Sequence, residues 1–212
     1  MRIKRSVTRA LAVTALAAST TMAIPASAHA ATAASTVPYL CPVEYEGQTY
    51  VLNYSRDFEV MAPDTVRPYQ IFPITFDPEP INPRTEFNTK AWDVKMVYNL
   101  PAGTQVVGYK LVGGSNLGDS QQRVEFSPGR VTLHASGPFT AGEDHDLPDL
   151  KVYLRAPGSG VLNTSVGGTS QSDPGFRWTA EDPTTFEVGV LPCYPDPAKP
   201  VVLSTTKVGW TR

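Results

Sequence analysis

The stretch "AWDVKMVYNL", residues 91–100, alternates apolar and polar positions. Trp92, Val94, Met96, Tyr98 and Leu100 fall on one side; Asp93, Lys95 and Asn99 fall on the other. A period of two predicts a pleated strand with one buried face, because helix faces repeat every 3.6 residues instead. The same rhythm returns along the chain. "LKVYLRA" turns Leu150, Val152, Leu154 and Ala156 inward and Lys151, Tyr153 and Arg155 outward. "GFRWTA" groups Phe176, Trp178 and Ala180 opposite Arg177 and Thr179. "RVTLHAS" groups Val131, Leu133 and Ala135 and leaves His134 outward. Further strands are expected over 37–43, 49–54, 58–62, 69–76, 104–111, 123–126, 160–166, 185–191 and 201–207, and no amphipathic helical window interrupts them.

Turn chemistry separates these runs. "EYEGQ", "LPAGT", "SPGR", "APGSG" and "SDPGF" each place Pro or Gly where the chain must reverse. Segment 77–84, "DPEPINPR", carries three prolines and predicts an irregular surface loop. Pro73 lacks a ladder donor, so its strand is expected at an edge or broken there. Many short strands with turns at this spacing predict an all-β fold: an antiparallel, immunoglobulin-like sandwich, with a closed barrel as the competing architecture.

The first thirty residues read as an export signal. Arg2, Lys4, Arg5 and Arg9 precede an uncharged, mostly apolar run from Ala10 to Ala18, and small residues follow Pro25 up to Ala28 and Ala30. Cleavage is expected after Ala28 or Ala30, leaving a short flexible leader over 31–36 and one domain over 37–212. No later stretch reaches the length of a spanning helix, so release outside the cell, with or without association with the envelope, is the expectation. Four of the chain's 18 Lys and Arg residues lie in the signal and none of its 20 Asp and Glu, which leaves the mature chain at about −6. That balance offers no electrostatic footprint for phosphate backbones, and it argues against nucleic acid as a partner.

Cys41 and Cys193 are the chain's two cysteines, near opposite ends of the apparent domain. Export favours oxidation and an even count favours one bridge, whereas a redox or metal pair would want a second thiol nearby. "YLCPVEYEG", "MAPDTVRP", "YNLPAGT", "VGGSNLG", "TSQSDPGF" and "PCYPDPAKPVVLSTT" together resemble a group of uncharacterised secreted two-cysteine domains common in actinobacteria, from about Tyr39 to Thr206. The resemblance implies an extracellular β-sandwich with Cys41 joined to Cys193. It carries over no catalytic residue. One departure stands out: such proteins keep a glycine after the proline of the "APDTVRP" turn, where this chain has Tyr69.

Ionisable chemistry gathers in "GEDHDLPD", residues 142–149. Asp144, Asp146 and Asp149 are candidate calcium ligands, since a hard cation takes several carboxylate oxygens on a compliant loop. The EF-hand pattern is absent, and a solvated loop between strands is the plainer reading. A hydrolase built on Asp144 or Asp146 would need a second carboxylate across the scissile bond, which neighbours on one loop rarely supply. His134 and His145 are the only candidate bases of the mature chain, and the "GGSNLG" turn around Ser115 lacks the second glycine of a nucleophile elbow. No catalytic residue is assigned. The sequons at Asn53 and Asn163 are read as coincidental.

Binding is the remaining class. Tyr153, between Lys151 and Arg155 on an outward face, is a candidate contact for a glycan ring or a protein side chain, with Tyr109 and Trp210 as further possibilities. The expectation is therefore a secreted, non-catalytic sandwich that binds a protein or glycan or stays with the envelope, with no cofactor beyond possible calcium. The alternative is an extracellular hydrolase using Asp144 and Asp146.

Overall fold

Alternation becomes pairing in the computed structural model, which describes residues 30–45 and 47–210. Fourteen strands and no helix occur among them. The export signal expected over 1–30 lies outside the described residues except for Ala30. One layer runs in the order β1 (Ala30–Tyr45), β2 (Gln48–Pro63), β4 (Ile71–Pro78), β10 (Asp149–Arg155) and β6 (Gln105–Val112). The other runs β13 (Val188–Pro195), β12 (Phe176–Glu181), β5 (Lys90–Asn99), β8 (Arg130–Ala135) and β7 (Gln122–Ser127). Two-residue β9 (Phe139–Thr140) extends the β8 side of β5. On its other side β11 (Gly160–Val166) leads to β14 (Ser204–Val208) and the short β3 (Thr65–Val66), the one parallel pairing.

The period-two pattern turns one face of each layer toward the other. Phe58, Val60, Phe72, Ile74, Phe76, Leu150 and Val152 meet Val94, Met96, Tyr98, Leu133 and Phe176 in one buried cluster. Phe76 stacks on Tyr98 with centroids 4.4 Å apart, and Phe58 meets the same ring edge-on at 6.0 Å. Each such ring contributes about 1.5–3 kcal/mol by leaving water. The layers join along one seam, where β1 pairs β13 at Tyr39–Pro195 and Leu40–Tyr194. At their free edges β6 and β7 share no ladder. This is a sandwich joined on one side, not a closed barrel. The Cys41–Cys193 disulfide sits beside the seam, fully buried, and spans 152 residues of sequence.

Several local expectations change. Residues 31–36, expected as a short flexible leader, lie within β1 and pair with Asp57 and successive residues to Ala62 on β2. The strands expected over 49–54 and 58–62 form one strand, β2, because Arg56 between them is buried. Trp92 faces outward. Asp93 adopts φ 50° and its N–H donates to Ser136 O at 3.1 Å, while the β5–β12 register slips beside it. The extra residue reverses the phase, so Ala91 takes the buried place and Trp92 a half-exposed one. Pro73 does sit where β4 is paired on one side only, since the β2 ladder stops at Thr75. Tyr69, standing where similar proteins keep glycine, takes a left-handed φ of 62°. In the 77–84 segment Ile81 is fully buried and exchanges backbone hydrogen bonds with His145, so that loop is anchored.

Candidate functional site

The outward face of the second layer carries a basic row that a reading along single strands does not show. Arg177 on β12 lies directly opposite Lys95 on β5, Lys95 opposite His134 on β8, and His134 opposite Arg123 on β7. The next row on the inner face is Phe176, Met96, Leu133 and Val124, and its packing fixes the direction of the basic side chains. At about 4.8 Å per strand the four positions span about 14 Å. Like charges directly opposite each other oppose sheet formation.

The charges are unevenly matched. Arg123 lies 3.6 Å from Glu125, and Arg130 forks onto Asp173 at 2.9 and 3.1 Å. Lys95 and Arg177 make no side-chain ion pair among the described residues, and Arg177 Nε is shielded from solvent with no hydrogen-bond partner. His134 Nδ1 lies 3.4 Å from an Arg123 guanidinium nitrogen, which can only donate, so this ring nitrogen accepts and the neutral ring's proton sits on Nε2. Nε2 is 3.2 Å from Glu125 Oε2, though not aligned as a hydrogen bond. Burial first, then the charges of Arg123 and Lys95, hold His134 below the usual imidazole range, against the pull of Glu125.

These residues line an open cleft of about 580 Å³, with Asp93, Gln121 and Ser136 around them. A second hollow of about 210 Å³ adjoins it through Lys95 and Glu125 and reaches Thr132, Ser127 and Arg130. The combined groove is rich in hydroxyl, amide and cationic groups. It offers hydrogen bonds and positive charge, with the acids Asp93 and Glu125 set among the cations.

Residues singled out in the sequence lie elsewhere. Tyr153, Lys151 and Arg155 share the outer face of β10, with Lys151 Nζ 5.9 Å from the Tyr153 ring centre. Tyr153 stands between Pro73 and Gly108 across the ladder. Tyr109 packs on Phe126 at 5.5 Å where the free edges meet, and Trp210 is exposed. The "GEDHDLPD" acids diverge: Asp144 accepts from Asn82 Nδ2 at 2.6 Å, while Asp146 and Asp149 face Asp77 on β4. Among the described residues no group of three or more His, Cys, Asp or Glu side chains is arranged to hold a metal ion. Asp77 is pushed up to about 6 by burial first and then by Asp149, Asp146 and Glu59. His145 is buried, its Nδ1 2.6 Å from Asn116 O and its Nε2 3.0 Å from Thr140 O. It ties loops together and faces no cleft.

Comparison with solved structures bears on the fold. A chain from Corynebacterium diphtheriae, described as a candidate membrane anchored protein, overlays with a TM-score of 0.51 at 14% identity, over 84% of this chain and 38% of its own. The chain thus spans well under half of that relative's length, and at this identity the likeness concerns fold alone. Two cohesins overlay more loosely. One, non-cellulosomal, from Archaeoglobus fulgidus, gives a TM-score of 0.36 at 10% identity over 69% of this chain and 86% of its own. The other, the sixth cohesin of Acetivibrio cellulolyticus scaffoldin B in complex with a dockerin, gives 0.38 at 12% over 68% and 93%. Overlays that loose establish no kinship. No protein-family model and no curated protein matches the chain.

Proposed function

We propose that the protein is a secreted, non-catalytic binding module of the cell envelope, and that its ligand seat is the basic cleft between β12 and β7. One observation carries the reading: Lys95 and Arg177 face each other in an open groove with no ion pair among the described residues, an arrangement that weakens the sheet unless something anionic occupies it. The buried disulfide suits an oxidising compartment, and the likeness in fold to a protein described as membrane anchored agrees with a place at the envelope. Among the described residues no helix is long and apolar enough to cross a bilayer. The Tyr153 face supplies an aromatic ring and lies outside both hollows described above, so it ranks behind the cleft. The hydrolytic alternative gains nothing from Asp144 and Asp146, which point to different neighbours.

Sedimentation of the mature protein with isolated envelope fragments of the producing cell tests this. Wild type should pellet at low salt and be released as salt rises, and the double variant Lys95→Gln/Arg177→Gln, with its melting temperature unchanged or raised, should stay in solution. Equal pelleting of the folded double variant would overturn the reading.

A further inference from the structure

Building on that binding-module reading, we infer that the cleft takes an acidic glycan: a linear sugar chain carrying about one carboxylate per ring, laid across strands β12, β5, β8 and β7. Three features of the groove select this class. The cations form a line about 14 Å long rather than a cluster, so they match an extended chain better than a single anion. Asp93 and Glu125 stand within the same groove and disfavour a polymer as densely charged as polyphosphate. Alongside the charged row, lining the same groove, lie Gln121, Ser127 and Thr132, groups matched to the hydroxyls of a sugar chain. Trp92, turned outward by the Asp93 bulge, stands on β5 beside this row opposite Thr179, with Lys90 Nζ 5.9 Å from its ring centre.

Arg177 has the clearest role. It lines the cleft at one end of the row and makes no ion pair among the described residues, so its guanidinium is free to meet a ligand carboxylate. Lys95 supplies an unpaired charge one strand away. His134 makes the site sensitive to pH. It is faced by Lys95 from β5, Arg123 and Glu125 from β7, Arg177 one strand further on β12, and Asp93 at the bulge. Burial first, then the cations, hold it below the usual imidazole range, and an anion seated beside it works against that shift. Binding is therefore linked to the uptake of a proton and tightens as pH falls through the histidine's range.

Calorimetric titration with an oligogalacturonate, its fully methyl-esterified neutral form and a polyglutamate of equal charge tests the inference. The oligogalacturonate should bind at low salt, with affinity that rises at acidic pH; the ester should not bind, and polyglutamate should bind at least tenfold more weakly. Lys95→Gln and Arg177→Gln should each weaken binding about tenfold with melting temperatures unchanged or slightly raised, whereas Lys207→Gln, on β14, should leave it unchanged. His134→Gln should keep binding but flatten its pH dependence. Absence of binding by oligogalacturonate, equal binding by polyglutamate, or unaltered affinity in the folded Lys95 and Arg177 variants would each overturn the proposal. If the protein still sediments with envelope fragments while oligogalacturonate is inert, the acidic glycan is excluded and the binding module stands.

Discussion

Arg56 is the residue whose environment departs furthest from its character in the sequence. It lies buried, with Nη1 donating to Tyr54 OH at 3.1 Å, Nη2 donating to the carbonyls of Glu79 and Pro80, and its guanidinium 4.8 Å from the Phe176 ring centre. No carboxylate balances it among the described residues. Carbonyls from a distant loop are invisible to a pattern of apolar and polar letters, which is why β2 reads as two strands broken at Arg56. Arg56→Ala should lower the unfolding free energy by about 3 kcal/mol, through stranded carbonyls and a cavity, whereas Arg56→Met should cost only about 1 kcal/mol. Urea titration of the two variants distinguishes these outcomes. Asp77 gives a pH signature. Its carboxyl titrates near 6 when folded against 3.8 when free, so the folded state binds more protons between those values. Stability should then fall as pH rises from about 4 to 6 and level off above. Because this carboxyl is largely solvated, the screened effect is on the order of 1 kcal/mol. Asp77→Asn should remove that slope and be the more stable form at pH 7 in melts across the range.

At the scale of strands and loops, alternation was sufficient for β10, which has one dry face and one wetter face, whereas on β8 and β12 the outward Thr132 and Thr179 are buried too. It misread β5 at Trp92, because the φ of Asp93 is a property of the chain's fit to β12 and Ser136, and Asp does not announce a bulge as Gly would. The "GEDHDLPD" segment is the loop its prolyl and acidic letters indicate. Its histidine, however, is buried, because its partners come from two other loops. Its two ring nitrogens reach the carbonyls of Asn116 and Thr140, so the ring bridges the two segments. His145→Ala should lower stability by about 2 kcal/mol, and hydrogen exchange should quicken first at residues 113–118 and 139–147. Uniform acceleration across all strands would instead indicate that His145 supports the core and not these loops. The basic row was illegible for a related reason. Arg177, Lys95, His134 and Arg123 are each ordinary outward residues on their own strand, and only cross-strand register makes them one line.

Over the whole molecule, one oxidised bond and one core organise the two layers. Closing 152 residues stabilises the fold by about 5 kcal/mol in the chain-entropy account, and the bond lies beside the only seam where the layers pair among the described residues. The two cysteines, the export pattern and the strand rhythm were enough to anticipate this much. Net acidity, by contrast, concealed the site, because overall charge averages away a local basic groove. The layers carry different outer faces: the first has its acids around Asp77 and Tyr153 beside the opposed Lys151 and Lys110, and the second has the row of Arg177, Lys95, His134 and Arg123. Hydrogen exchange of the oxidised protein with and without saturating oligogalacturonate tests this division most directly. Slowed exchange confined to β5, β7, β8 and β12 is the predicted result; slowing centred on β4, β10 and β6 would place the ligand on the Tyr153 face and contradict it.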